Sequence, residues 1–197
     1  TIDDIGDAGG GVTGATAIGN ANTTNLTLGG TVYNTDGTQT YTAVAGNTID
    51  LTAGATTTFT STADAITFGT GTVELADGSN LSVTTGGGVG NIQLVAIKAS
   101  SVEDVTLSAG TGNVTVGVIG AAAAQINDVT LSGTTINLGG NINTDNDGTD
   151  LGDVDINGAV ALAAGVTIDT SAGDGTVNLS STVDNAQNFD IASGAGA

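Results

Sequence analysis

The sequence predicts an all-β chain wound into a parallel β-solenoid, a column of coils stacked on one another. Three observations carry that prediction. The composition is rich in Thr, Val, Ile, Asn and Gly, poor in Glu, Lys, Arg and Gln, and contains no Pro; β-branched side chains are stiff at χ1 and favour strands. Short apolar–polar–apolar triplets recur along the whole length. The pentapeptide DVTLS at Asp104–Ser108 is restated at Asp128–Ser132, twenty-four residues on.

Taken in order, the triplets begin with Leu26/Leu28, Ile49/Leu51, Ile66/Phe68, Val73/Leu75, Leu81/Val83 and Ile92/Leu94. They continue with Val105/Leu107, Val114/Val116, Val129/Leu131, Ile136/Leu138 and Val154/Ile156, and close with Val160/Leu162, Val166/Ile168, Val177/Leu179 and Phe189/Ile191. Each is too short to be stable alone, and the Gly, Asn, Asp and Ser between them tolerate tight turns. Two registers emerge. Leu81, Val105, Val129, Val154 and Val177 are separated by steps of 24, 24, 25 and 23, and Ile92, Val114, Ile136 and Val160 by steps of 22, 22 and 24.

One coil of that length cannot hide its inward Val, Ile and Leu by itself. Stacking lines them up in columns, and each backbone N–H and C=O pairs with the coil above or below. About eight coils of roughly 22–25 residues, each about 4.8 Å thick, make a rod about 40 Å long. A β-sandwich uses equally short strands but does not predict an echo at a fixed offset. The reading is one β-solenoid domain over residues 1–197, with regular coils at 81–197. Residues 1–80, which hold Tyr33, Tyr41, Phe59 and Phe68, are less regular and include the expected N-terminal cap. Val118–Ala124 is read as a coil corner rather than a helical turn.

Eighteen Asp and two Glu face one basic residue, Lys98, for a formal net charge of −19. Nucleic acid is excluded as a partner, because phosphate binding needs Lys and Arg to displace counterions. Docking on an anionic membrane is disfavoured for the same reason, and no apolar run is long enough to insert. An acidic surface suits divalent cations as well as plain solubility. The absence of Cys leaves the redox compartment open. The acidic start TIDDIGDAGGG lacks a basic n-region and is not read as a signal peptide. A chain that starts with Thr is expected to be a processed product or one segment of something longer.

The stretches LSAGTGNVTVG (107–117), INLGGNINTD (136–145) and VALAAGVTIDTSAGDGTVNLSSTVDNAQNFDIASGAG (160–196) resemble the repeats of very large secreted bacterial proteins related to filamentous haemagglutinin. The resemblance spans most of the chain, more loosely before Leu81. It implies a right-handed parallel β-helix, a location outside the cell on the bacterial surface, and a role in adhesion, matrix or filament formation. The N-terminal secretion-associated domain of that family is not matched here.

The chemistry legible in the chain is sparse. There is no His or Arg, and the only Lys sits in IKASS, so a nucleophilic triad has no base. Two carboxylates can hydrolyse a glycoside, but aromatic residues to hold a sugar ring make up only 3% of the chain. The expectation is that the protein is not an enzyme.

Calcium is the one cofactor expected. Asn143, Asp145, Asp147 and Gly148 follow the N-x-D-x-D-G opening of a calcium loop. The closing Glu is missing, since position twelve is Val154, and Asp150, Asp153 or Asp155 would have to replace it. Asp104, Asp128 and Asp153 precede equivalent strands, and carboxylates stacked about 5 Å apart repel unless hydrated, protonated or bridged by a cation. The competing reading of the Asn143–Asp155 cluster is a solvated acidic turn. Asp3, Asp4 and Asp7 form a weaker cluster ahead of Gly9–Gly11, and GGGVGN (86–91) lacks the Asp of calcium-binding nonapeptides. Asn-x-Ser/Thr sites at Asn22, Asn25, Asn80, Asn113 and Asn178 are expected by chance in a chain this rich in Asn and Thr.

The function expected from these features is that of a structural or interaction module of an extracellular bacterial adhesin, filament or surface coat. Its partners would be further copies or coils stacked end to end, and a host-cell or matrix glycan or protein. The alternative is a ligand-binding or ice-binding solenoid that uses Thr-rich faces. TTT (56–58), TQTYT (38–42) and TTFTST (57–62) suggest it, but these triplets do not recur at the coil period.

Overall fold

The computed structural model describes residues 1–7, 11–99, 103–121, 124–145, 151–184 and 186–194. All regular structure in them is strand, and the strands pair in parallel throughout, so they join into one sheet that winds around the rod. The pairings sort into three faces.

Face A stacks β2 (Leu26–Leu28), β5 (Thr48–Leu51) and β8 (Thr72–Leu75), then the second half of β10 (Ile92–Ala99) and the end of β12 (Asn113–Ile119). It continues through β14 (Ile142–Asn143), β16 (Val166–Asp169) and β19 (Phe189–Ala192). Face B stacks β3 (Val32–Asn34), β6 (Thr57–Thr60), β9 (Leu81–Thr84), β11 (Val105–Ser108), the first halves of β13 (Val129–Leu138) and β15 (Val154–Leu162), and β17 (Val177–Leu179). Face C stacks β1 (Thr16–Gly19), β4 (Gln39–Thr42), β7 (Ile66–Phe68), the first parts of β10 and β12, the second halves of β13 and β15, and β18 (Val183–Asp184).

Among the described residues the chain makes seven complete circuits through A, B and C. A partial circuit precedes them, where Ile2 bridges Leu28 and Ile5 bridges Tyr33. The coil count is thus seven rather than eight. The reason lies ahead of Leu26, where the described residues make only the partial circuit; the early turns are also uneven, with Tyr33 on Phe59 and Tyr41 on Phe68 at steps of twenty-six and twenty-seven along the chain. The two registers read from sequence are real columns: Leu81, Val105, Val129, Val154 and Val177 on face B, and Ile92, Val114, Ile136 and Val160 on face C. The repeated DVTLS is one rung lying on the next, with Val105 on Val129 and Leu107 on Leu131.

Burial follows the two-residue alternation of a strand. In β9 Leu81 and Val83 are buried while Ser82 and Thr84 face outward; β11 repeats this with Val105 and Leu107 inside. Each buried Val, Leu or Ile contributes about 1.5–3 kcal/mol. The early turns carry the larger rings. Phe59 stacks on Tyr33 at 4.8 Å between centroids and meets Phe68 and Tyr41 edge-on at 4.9 and 5.1 Å.

Corners are held by small hydroxyl residues turned inward. Thr85 Oγ1 donates to the Gly90 carbonyl at 2.8 Å, Thr144 Oγ1 to Gly152 at 2.5 Å and Thr170 Oγ1 to Gly175 at 2.6 Å. Gly110, directly after the β11 corner, has φ +55°, and a side chain there would run into the Gly86 carbonyl of the coil before it. The corner expected at Val118–Ala124 begins inside β12, and Ala121 and Ala124 exchange two backbone hydrogen bonds at 2.7 and 3.1 Å.

Candidate functional site

Face B carries a regular outer surface in three adjacent rows. The first is a ladder of Asn and Asp one residue ahead of each strand. Asn80 Oδ1 accepts the Asp104 N–H at 3.0 Å, Asp104 Oδ1 the Asp128 N–H at 3.3 Å, Asp128 Oδ1 the Asp153 N–H at 2.7 Å, and Asp153 Oδ1 the Thr176 N–H at 2.7 Å. Asp104 also accepts from the side-chain amides of Asn127 at 2.9 Å and Asn80 at 3.2 Å, and Asp153 from the Thr176 hydroxyl at 3.0 Å. The strand ladder stops at the corner, and the side chains take it one residue further. A charged acceptor is worth roughly 1.5–3 kcal/mol in such a bond. The stacked carboxylates therefore meet backbone donors from the next coil, a counterpoise that sequence reasoning did not include.

The other two rows are hydroxyl side chains that point outward from the strands. Thr58, Ser82, Thr106 and Thr130 form one row, and Thr60, Thr84, Ser108 and Ser132 the other. Both rows advance by the same interval at every rung, the twenty-four of the DVTLS echo. The rows then change character, with Asp155 stacked on Thr130 and Asn157 on Ser132.

The described residues expected to hold calcium lie on faces A and B of the rod and at the corner between them. Asp104, Asp128 and Asp153 belong to the ladder. Asp155 points outward from β15 between Thr130 and Asn178. Asn143 stacks beside Asp169 on face A, and the Asp145 N–H donates to the Ile126 carbonyl at 2.9 Å. Asp147 and Asp150 lie outside the described residues, as does Gly148. Among the described residues no three acidic side chains gather closely enough to hold a metal ion. In the N-terminal cluster, Asp4 Oδ1 accepts the N–H groups of Thr31 and Val32 at 2.6 and 2.9 Å.

Face A presents an open groove of about 460 Å³ lined by Asp50, Glu74 and Asp77 together with Thr27, Thr48 and Thr52. Asp50, Glu74 and Lys98 stand on successive rungs, and the Lys98 ammonium pairs with Glu74 at 3.0 Å. No aromatic side chain lines this groove, and the rings of Tyr33, Tyr41, Phe59 and Phe68 are fully buried, so a sugar finds no platform there.

The two ends of the rod differ. At the first rung Tyr33 Oη donates to the Ile2 carbonyl at 2.9 Å, and Asp4 covers the N–H groups entering β3. At the last rung the inward columns come into the open. Val160 and Ile168 are 1% and 0% exposed, whereas Val183 and Ile191, stacked directly on them, are 37% and 47% exposed.

Ladder, hydroxyl rows and open rung together define a parallel β-solenoid with an acidic outer surface. Comparison with known protein families, with characterised proteins and with solved structures returns no match.

Proposed function

We propose that this chain is a rigid structural and interaction module of an extracellular bacterial adhesin, filament or surface coat, joined end to end to further coils. The observation that carries the reading is the last rung. Val183 and Ile191 continue two buried columns yet stand in solvent, above a strand edge ready to template another strand. What fits such an edge is another rung of the same kind, from a longer run of such coils or from a second copy. Apart from scattered exposed apolar residues such as Val89, Val95 and Leu151, the remaining surface is polar and acidic, which disfavours association of the sides of the rod and leaves them to a host-cell or matrix glycan or protein.

Electron microscopy of the purified chain, with sedimentation across a concentration series, tests this. One unit of seven coils measures about 34 Å along its axis. Particles several times that length are expected, lengthening with salt as screening relieves repulsion between acidic units. Val183→Lys combined with Ile191→Lys should return them to single rods. Single rods at every concentration and salt, unchanged by the double variant, would overturn the reading.

A further inference from the structure

We infer that the twin hydroxyl rows of face B form an ice-binding surface, whose ligand is the lattice of frozen water rather than a soluble molecule. The inference is independent of end-to-end assembly, and each can fail alone.

The array is periodic in two directions. Thr58, Ser82, Thr106 and Thr130 stand beside Thr60, Thr84, Ser108 and Ser132, and the interval between rungs never varies. Successive rungs are about 4.8 Å apart and the two rows, two residues apart along the strand, about 6.6 Å. Both spacings lie close to oxygen repeats on the faces of hexagonal ice. A two-dimensional array of this kind selects a ligand that repeats in two dimensions. Intact Thr triplets do not return at the coil period, which counts against an ice-binding face when only the sequence is read. The register shows that the hydroxyls do return, with Ser standing in for Thr at three of the eight positions.

Corner hydroxyls are tied to backbone carbonyls, as at Thr85, Thr111, Thr144 and Thr170. Of the eight face hydroxyls only Thr84 is engaged among the described residues, accepting the Gly86 N–H at 3.3 Å. The other seven keep their donors and acceptors for water.

The chain carries a net charge of −19, yet none of the eight positions is charged. A charged group holds a shell of its own that does not fit a neutral lattice. On this face the carboxylates that run alongside the rows, Asp104, Asp128 and Asp153, are turned to backbone donors instead, and Asp155, outward on the rung after Thr130, marks the end of the array. Rigidity completes the case. Thr has few rotamers, the strands beneath are pinned rung to rung, and a preorganised surface loses little freedom when water orders on it.

Nanolitre osmometry of the purified chain tests the inference. Thermal hysteresis and faceted ice growth are expected. Thr106→Tyr, in the middle of the array, should abolish both with the melting curve preserved, while Gln93→Tyr on face C should leave both intact. Ser108→Thr combined with Ser132→Thr should raise the hysteresis by adding methyl groups in register, and this gain decides the matter if Thr106→Tyr does not fold. Overturning results are the absence of hysteresis and faceting at millimolar protein, equal loss in Gln93→Tyr, or binding to microcrystalline cellulose in place of ice.

Discussion

The early turns and the later turns solve the same packing problem with different side chains. Around Tyr33, Tyr41, Phe59 and Phe68 the column is filled by four rings in mutual contact at 4.8–5.9 Å. From Leu81 onward the described inward positions of face B are aliphatic, as in the column Val83, Leu107, Leu131 and Ile156. The coils follow suit. Each rung from Tyr33 to Phe59 or from Tyr41 to Phe68 takes two or three residues more than the rungs joining Val83, Leu107 and Leu131. On faces B and C the rings come with a longer step and with polar help. Gln39, fully buried, donates to the Tyr33 and Thr60 carbonyls at 3.2 and 2.6 Å and accepts the Tyr41 hydroxyl at 2.8 Å. The described strands of the aliphatic part hold no buried polar group of that size. One winding rule thus tolerates two cores, provided each inward residue meets its like one rung away.

The largest effect should come from breaking the aromatic core. Phe59 touches Tyr33, Tyr41 and Phe68 at once, and Phe59→Ala should cost about 4 kcal/mol in urea unfolding, in the middle of the range for buried rings. Leu107→Ala in the aliphatic column should cost about 3 kcal/mol. An equal or reversed order would show that the rings are not the tighter half.

Alkali separates the halves next. Both tyrosines of the chain lie in the early turns. Burial pushes the Tyr41 hydroxyl far up, with Tyr33 adding to the shift. Tyr33 is raised chiefly by burial and further by Asp4 and Asp3, against the Gly30 N–H that lowers it. A raised folded pKa means that the stabilisation is complete below the unfolded value, about 10, and is lost as pH climbs from there toward the folded values. Stability should hold to about pH 10 and then fall, with tyrosinate absorbance rising only as the early turns open. Tyrosinate forming at ordinary pH values without unfolding would contradict the buried core.

The same contrast decides what could be read in the sequence. The columns at Leu81–Val177 and Ile92–Val160 were legible because their steps stay in the low to middle twenties. Face A was visible as triplets such as Ile49/Leu51 and Val73/Leu75 but not as a register, because β10 and β12 run round the C–A corner without a break. The longer aromatic coils disguised the period before Leu81. In the candidate site, Asp104, Asp128 and Asp153 were legible as a stack. Their partners were not, since a backbone N–H has no letter in a sequence. The hydroxyl rows escaped because Thr and Ser are interchangeable to a lattice and distinct to a search for repeated triplets.

The Asp ladder belongs to the aliphatic half, and its removal should cost less than a ring. Asp128→Ala leaves the Asp153 N–H without its 2.7 Å acceptor, a loss of about 1–3 kcal/mol. Asp128→Asn should be nearly silent, because Asn80 already performs that task at one end of the ladder. Calcium added after exhaustive chelation tells the ladder from a cation bridge: with the carboxylates turned to N–H groups, the melting temperature should stay where it is. A rise that Asp128→Asn abolishes would place calcium in this stack.

The smallest effect should be at the point where the halves meet. Lys98 and Glu74 form an ion pair at 3.0 Å with half-exposed side chains, and exposed pairs of this kind contribute about 0–1 kcal/mol. Lys98→Ala should therefore shift the urea midpoint barely above error at moderate salt. It should do so more at low salt, where Glu74 is left beside Asp50 on the rung before it. A cost as large as that of Leu107→Ala would mean that the two cores are joined by charge rather than by the stacked Val73 and Ile97 beneath it.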